Sequence, residues 1–125
     1  MLRKKSPSKF RPQYNLGTLL GKHGVLGEAQ STLERAVEIR PDSSPAHNQL
    51  ANVYVLMNKL QQAEQHYRWA VEHDPKNAEA LFNLSRILMS QGRHEEQREF
   101  LERFIKVAPP YLEEQKRWAL QQLVR

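Results

Sequence analysis

One feature constrains this chain before any other. Pro41, Pro75 and Pro109 lie 34 residues apart. Aligned on these prolines, the chain divides into three blocks, 10–43, 44–77 and 78–111, and side-chain size recurs in register. Leu16, Leu50 and Leu84 share one position, and the small residues Gly17, Ala51 and Ser85 follow it. Leu20, Tyr54 and Leu88 coincide, as do Leu33, Tyr67 and Leu101. Ala29 and Ala63 align with Gln97, and Ala36 and Ala70 align with Phe104. A period of this length marks stacked supersecondary units, each of which buries its apolar face only against its neighbours.

Within each block two helical patterns meet at Gly24, Asn58 or Gly92. Glycine and asparagine tolerate positive φ, so they end one helix and turn the chain sharply. The first helices are predicted near 12–22, 45–57 and 78–90, and their partners near 26–39, 60–73 and 94–107. Pro41 cannot continue a helix, because it lacks an N–H and its ring clashes with the preceding turn. Ser44 is expected to cap the next helix with Pro45 in its first position, and Asn77 to cap the third block. Leu16, Leu20 and Leu33 are expected to fill the space between the first two helices. Gln97 and Phe104 stand where small residues are expected, which predicts looser or shifted packing in the third block. The last stretch, YLEEQKRWALQQLVR, fits one more helix over 111–124. It reads either as a solvating end helix or as the first half of a fourth repeat.

The period, with small residues at the eighth and twentieth positions and proline at the thirty-second, resembles the tetratricopeptide repeat. The resemblance covers residues 10–111 and continues into the last helix. It implies an all-α solenoid of three helix-turn-helix repeats plus an end helix, a domain over 10–125 behind a basic flexible arm, 1–9. It also implies a non-enzymatic scaffold, a protein-interaction module that holds an extended peptide of a partner in a concave groove. The alternative is a structural spacer or a self-association segment forming a homo-oligomer, since no clear polar cap precedes the first hairpin.

Charge narrows the partners. The net charge is +5, and Arg3, Lys4, Lys5, Lys9 and Arg11 supply that excess; the other 14 basic residues are balanced by 14 acidic ones. A neutral body argues against nucleic acid, which needs a clustered basic face. The arm reads as solvated, with contact to phosphate or anionic lipid as the alternative. There is no cysteine, so neither a disulfide nor a cysteine-ligated metal is available. No apolar run is long enough to span a membrane, and MLRKKSPSKF lacks the apolar core of a secretory signal. The cytoplasm is favoured, with a periplasmic protein or an excised domain of a longer chain as alternatives.

No catalytic constellation and no cofactor motif appears. His23, His47, His66, His73 and His94 show no pair at the i, i+3 or i+4 spacing of a helical metal site. No catalytic residue, cofactor or metal is therefore expected. Trp69 is placed facing away from its partner helix, flanked by His66 and His73.

What remains is a surface. The first helix of each repeat should line the concave side with Tyr14, Asn15, Thr18 and Lys22, then Asn48, Gln49 and Asn52, then Phe82, Asn83 and Arg86. Arg11, Val55, Leu56, Glu79 and Met89 fall on the same face. An amide side chain donates and accepts, so it can pair with the backbone of an extended peptide; it can equally bond to neighbouring helices. Asn15, Gln49 and Asn83 share a repeat position, similar to the asparagine ladder of superhelical repeats of the O-GlcNAc transferase type. Repeats that clamp the terminal carboxylate of heat-shock chaperones carry Lys and Asn at the positions matching Tyr14 and Thr18, Asn at that of Gln49, and Lys and Arg at those of Glu79 and Asn83. Those cations are missing here, and binding of that kind is not expected.

Overall fold

A computed structural model describes residues 9–124 of the chain. Most of the basic arm, including Arg3, Lys4 and Lys5, lies outside the described residues. Among the described residues seven α-helices follow one another: α1 (Phe10–Lys22), α2 (Leu26–Ile39), α3 (Ser44–Leu56), α4 (Leu60–His73), α5 (Ala78–Ser90), α6 (His94–Val107) and α7 (Glu113–Leu123). A 3-10 turn, Pro110–Leu112, leads into α7. The helices pair as α1/α2, α3/α4 and α5/α6, the pairs stack in chain order, and α7 packs on α6.

Each boundary has a local cause. Gly24, Asn58 and Gly92 take φ of 77°, 60° and 71°, the left-handed conformation that closes the hairpins. Asn77 caps α5, its Oδ1 accepting from the Ala80 N–H at 3.1 Å. At α3 the cap is Ser43 rather than Ser44: the Ser43 hydroxyl accepts from the Ala46 N–H at 3.2 Å, and Ser44 is already helical. The Ser44 hydroxyl instead donates to the Ala70 carbonyl at 2.8 Å and accepts from Asn77 Nδ2 at 2.8 Å. One serine thus ties the end of α4 to the starts of α3 and α5.

Close approach explains the small residues. A Cβ on Gly17 would lie 2.5 Å from Leu33 Cγ, so the α1/α2 contact admits nothing larger than glycine as it stands. Ala29, Ala36, Ala63 and Ala70 are fully buried at the corresponding contacts. In the third repeat Phe104 is fully buried where the others have alanine, and its ring meets Phe82 at 5.0 Å. Phe82 in turn meets Trp118 of α7 edge-on at 5.5 Å, so the end helix closes over the larger residue.

Two placements differ from expectation. Leu50 and Leu84 are buried, whereas Leu16 is 49% exposed. That position faces the preceding repeat, and among the described residues α1 has none before it. Trp69 is half-buried, not free: its ring stacks on His47 of α3 at 3.7 Å and on His73 at 3.3 Å. Between the second and third repeats, Glu64 accepts from Arg68 and from Arg93, each at 2.8 Å, and Glu96 joins the same two arginines. Burial pushes the Glu64 carboxyl up, but the bonds from Arg93 and Arg68 outweigh it and hold it below the usual carboxylate range.

Candidate functional site

The helices α1, α3 and α5 place their outward positions side by side along one wall. Thr18, Gly21, Lys22, Gln49, Asn52, Leu56 and Glu79 surround a hollow of about 420 Å³. Tyr14, Asn48, Gln49, Glu79 and Tyr111 are among the residues around a second, of about 460 Å³. Glu79, Phe82, Asn83, Arg86 and Gln115 help line a third, of about 290 Å³. Tyr14 and Asn15 also border a broader hollow with Arg11, Arg40 and Asp42. Glu79 is common to the first three hollows, which together are called the furrow; Lys22 borders one of them and Arg86 another.

Arg11 and Asn15 lie only on the broader hollow, and Val55 and Met89 on none of the four; the other residues predicted for the groove line the furrow, but not all present themselves to it equally. Asn83 Nδ2 donates to Asn52 Oδ1 at 3.1 Å and to Asn48 Oδ1 at 3.4 Å. Asn52 Oδ1 also accepts from the Tyr67 hydroxyl, and Asn52 Nδ2 donates to Gln49 Oε1 at 3.4 Å. Asn48 is 2% exposed and lies beneath the surface. The Tyr67 hydroxyl is pushed well above its ordinary value by burial. These amides form a network that fixes the wall. Gln49 and Asn83, half-buried, offer its outer edge, and Arg11, Asn15, Lys22, Glu79 and Arg86 are exposed. Thr18 is half-buried, with its hydroxyl oxygen shielded from water and without a partner among the described residues.

The aromatic ends are held as well. Tyr14 stacks on Phe10 at 5.7 Å; burial raises its hydroxyl, and a hydrogen bond with Gln49 opposes that. The Arg86 guanidinium sits 5.9 Å from the Phe82 ring centre. Tyr111, from the turn before α7, donates to Glu79 Oε1 at 3.3 Å. Tyr111 and Gln115 had no sequence signal, because they come from outside the three aligned first helices.

One further cluster joins residues that look unrelated along the chain. His47 Nε2 lies 2.9 Å from the Pro41 carbonyl, and His47 Nδ1 lies 2.9 Å from His66 Nδ1. A carbonyl only accepts, so Nε2 carries the proton and His47 Nδ1 accepts from His66. Burial lowers both imidazoles. Among the described residues no three histidine, aspartate or glutamate side chains converge as metal ligands. No described helix is long and apolar enough to cross a membrane.

Comparison with known proteins agrees with this architecture. Tetratricopeptide-repeat sequence profiles match residues 10–43 and 48–111. The type IV pilus assembly protein PilF of Pseudomonas aeruginosa is 37% identical over 84 residues, covering 67% of this chain and 32% of that protein. The chain thus spans about a third of that relative's length. Among solved structures, the Yersinia enterocolitica type III secretion chaperone SycD, in complex with a peptide of the translocator YopD, superposes with a TM-score of 0.88 at 16% identity. That match covers 97% of this chain and 94% of SycD. The first repeat domain of Spaghetti, bound to an HSP90 peptide, superposes with a TM-score of 0.82 at 18% identity, covering 98% of each chain.

Proposed function

The chain belongs to the tetratricopeptide-repeat family, and from that premise we propose that it is a protein-interaction module which holds an extended segment of a partner protein in the furrow along α1, α3 and α5. The observation that carries this reading is the set of three hollows that share Glu79, backed by an amide network whose outer edge is Gln49 and Asn83. A bound backbone needs donors and acceptors at fixed places. Asn48, Asn52 and Tyr67 fix them from behind, which lowers the ordering cost of binding. SycD and Spaghetti each hold a peptide on this fold, which supports the same class of ligand here.

The charges refine the choice. Glu79 opposes an acidic terminus of the kind chaperone-clamping repeats accept, and favours a segment with a cation at its centre. Lys22 and Arg86 favour acids on either side of it. The chemistry requires no catalysis, cofactor or metal.

Selection from a random peptide display library tests the proposal. The consensus peptide should bind the chain saturably in fluorescence anisotropy. Gln49→Ala combined with Glu79→Lys should weaken it by about tenfold or more, equivalent to about 1.4 kcal/mol, with an unchanged helical spectrum. Equal affinity for the double variant, or no enrichment of any sequence, rejects the furrow as the site.

A further inference from the structure

One hollow of the furrow has a lining unlike the other two. Tyr14 of α1, Glu79 of α5 and Tyr111 of the 3-10 turn all border the hollow of about 460 Å³. Each tyrosine is held in place. Tyr14 is half-buried and stacks on Phe10. Tyr111 follows Pro109 and Pro110, whose rings fix φ, and precedes Leu112, which is buried. The turn is thereby pinned on both sides, while Tyr111 itself stays 72% exposed. Its hydroxyl donates to Glu79 Oε1 at 3.3 Å, so its ring lies beside the carboxylate. Both phenols feel that charge. Glu79 is the first cause that raises the Tyr111 hydroxyl; at Tyr14 burial comes first, the bond with Gln49 opposes it, and Glu79 adds to the rise. Glu79 is exposed, and among the described residues no lysine or arginine forms an ion pair with it. Glu64, by contrast, is neutralised by two arginines.

We propose that this hollow is a cage for one cationic side chain, arginine or lysine, of the segment that lies in the furrow. The proposal rests on the reading of the furrow as the binding site and adds the chemistry of its anchor. A cation beside a tyrosine face is attracted by the negative face of the ring, and a carboxylate at the same place supplies the countercharge. The balance of charge selects this hollow among the three. The other two each set Glu79 against one cation, Arg86 or Lys22. Here Asp74 joins Glu79, and Lys76 is the only cation, so one carboxylate is in excess. An acidic side chain would meet two carboxylates and a single ammonium. An aliphatic one would cover the Glu79 carboxylate without replacing the water on it. A cation matches both the rings and the charge.

The test uses the whole chain and display libraries of short peptides. The central residue is fixed as arginine, lysine, leucine or glutamate, and the flanking random positions exclude lysine and arginine. After selection the arginine- and lysine-centred libraries should be enriched about tenfold or more over the leucine and glutamate ones. Glu79→Gln keeps an acceptor for Tyr111 and removes only the charge; it should reduce that preference about tenfold. Tyr111→Leu should reduce it about two- to fivefold. Both side chains are exposed, so both variants should keep the wild-type helical spectrum. Equal or greater enrichment of the leucine or glutamate library overturns the cage and leaves the furrow standing. So does a cation preference that survives Glu79→Gln, which moves the anchor elsewhere, or one untouched by Tyr111→Leu, which reduces it to a simple ion pair. Enrichment from no library removes the furrow reading and the cage together.

Discussion

Three leucines at one repeat position provide an internally controlled test of the stack. Leu50 and Leu84 are 2% and 0% exposed, and Leu16 is 49% exposed. Truncating a fully buried leucine to alanine removes its transfer energy and leaves a cavity, together about 2–5 kcal/mol. Leu16→Ala loses only about half of the transfer contribution, and water enters the space, so about 1 kcal/mol or less is expected. A domain of this size holds about 5–15 kcal/mol in all. Leu50→Ala and Leu84→Ala should therefore move the urea midpoint far, and Leu16→Ala barely. Circular dichroism at the helical band, with the slope checked for constancy, reads this directly. Equal costs at all three positions would refute the unequal coverage. Small costs at Leu50 and Leu84 would refute stacking itself.

Three other outcomes follow from the geometry. Burial lowers the pKa of His47 and His66, so the folded state binds fewer protons than the unfolded state once the pH drops below about 6.5. Their contribution to stability is full above that pH and is lost as pH falls toward the folded values. His47→Asn should flatten this slope in urea titrations at stepped pH, and an unchanged slope would exclude the pair as its source. Asn58 holds φ of 60°, so Asn58→Val should cost about 1–3 kcal/mol while Asn58→Gly is tolerated, measured by thermal unfolding. Ser43→Ala removes the cap of α3 and should cost about 1 kcal/mol by denaturant unfolding. A cost near zero would show that the Ala46 N–H finds another partner.

Much of this fold is legible along the chain because three copies report on one another. The hairpin breaks at Gly24, Asn58 and Gly92 and the cap at Asn77 stand where local backbone chemistry puts them. What local chemistry does not reveal is the use made of a group across a seam. In sequence the expected cap is Ser44, next to Pro45, whereas the residue before it caps the helix. The Ala70 carbonyl and Asn77 amide, distant along the chain, engage Ser44 and leave Ser43 to cap. Leu16 shares its repeat position with Leu50, but its burial depends on a neighbour rather than on its own residue type.

The candidate site divides in the same way. Asn48, Asn52 and Asn83 can be assigned to one face from their spacing, yet that spacing does not show that Tyr67 of α4 reaches through to Asn52. Nor does it show that Asn48 ends beneath the surface. The His47–His66 pair joins α3 to α4, and within-helix spacing does not register a pair that a hairpin brings together.

The most direct test of the central claim is photo-cross-linking of the selected consensus peptide to chains carrying benzoylphenylalanine at single positions. Gln49 lies in the furrow, and Glu72 is an exposed residue of α4, outside it. A peptide held along α1, α3 and α5 should cross-link from Gln49 and not from Glu72. Cross-linking from Glu72 with none from Gln49 would contradict the account.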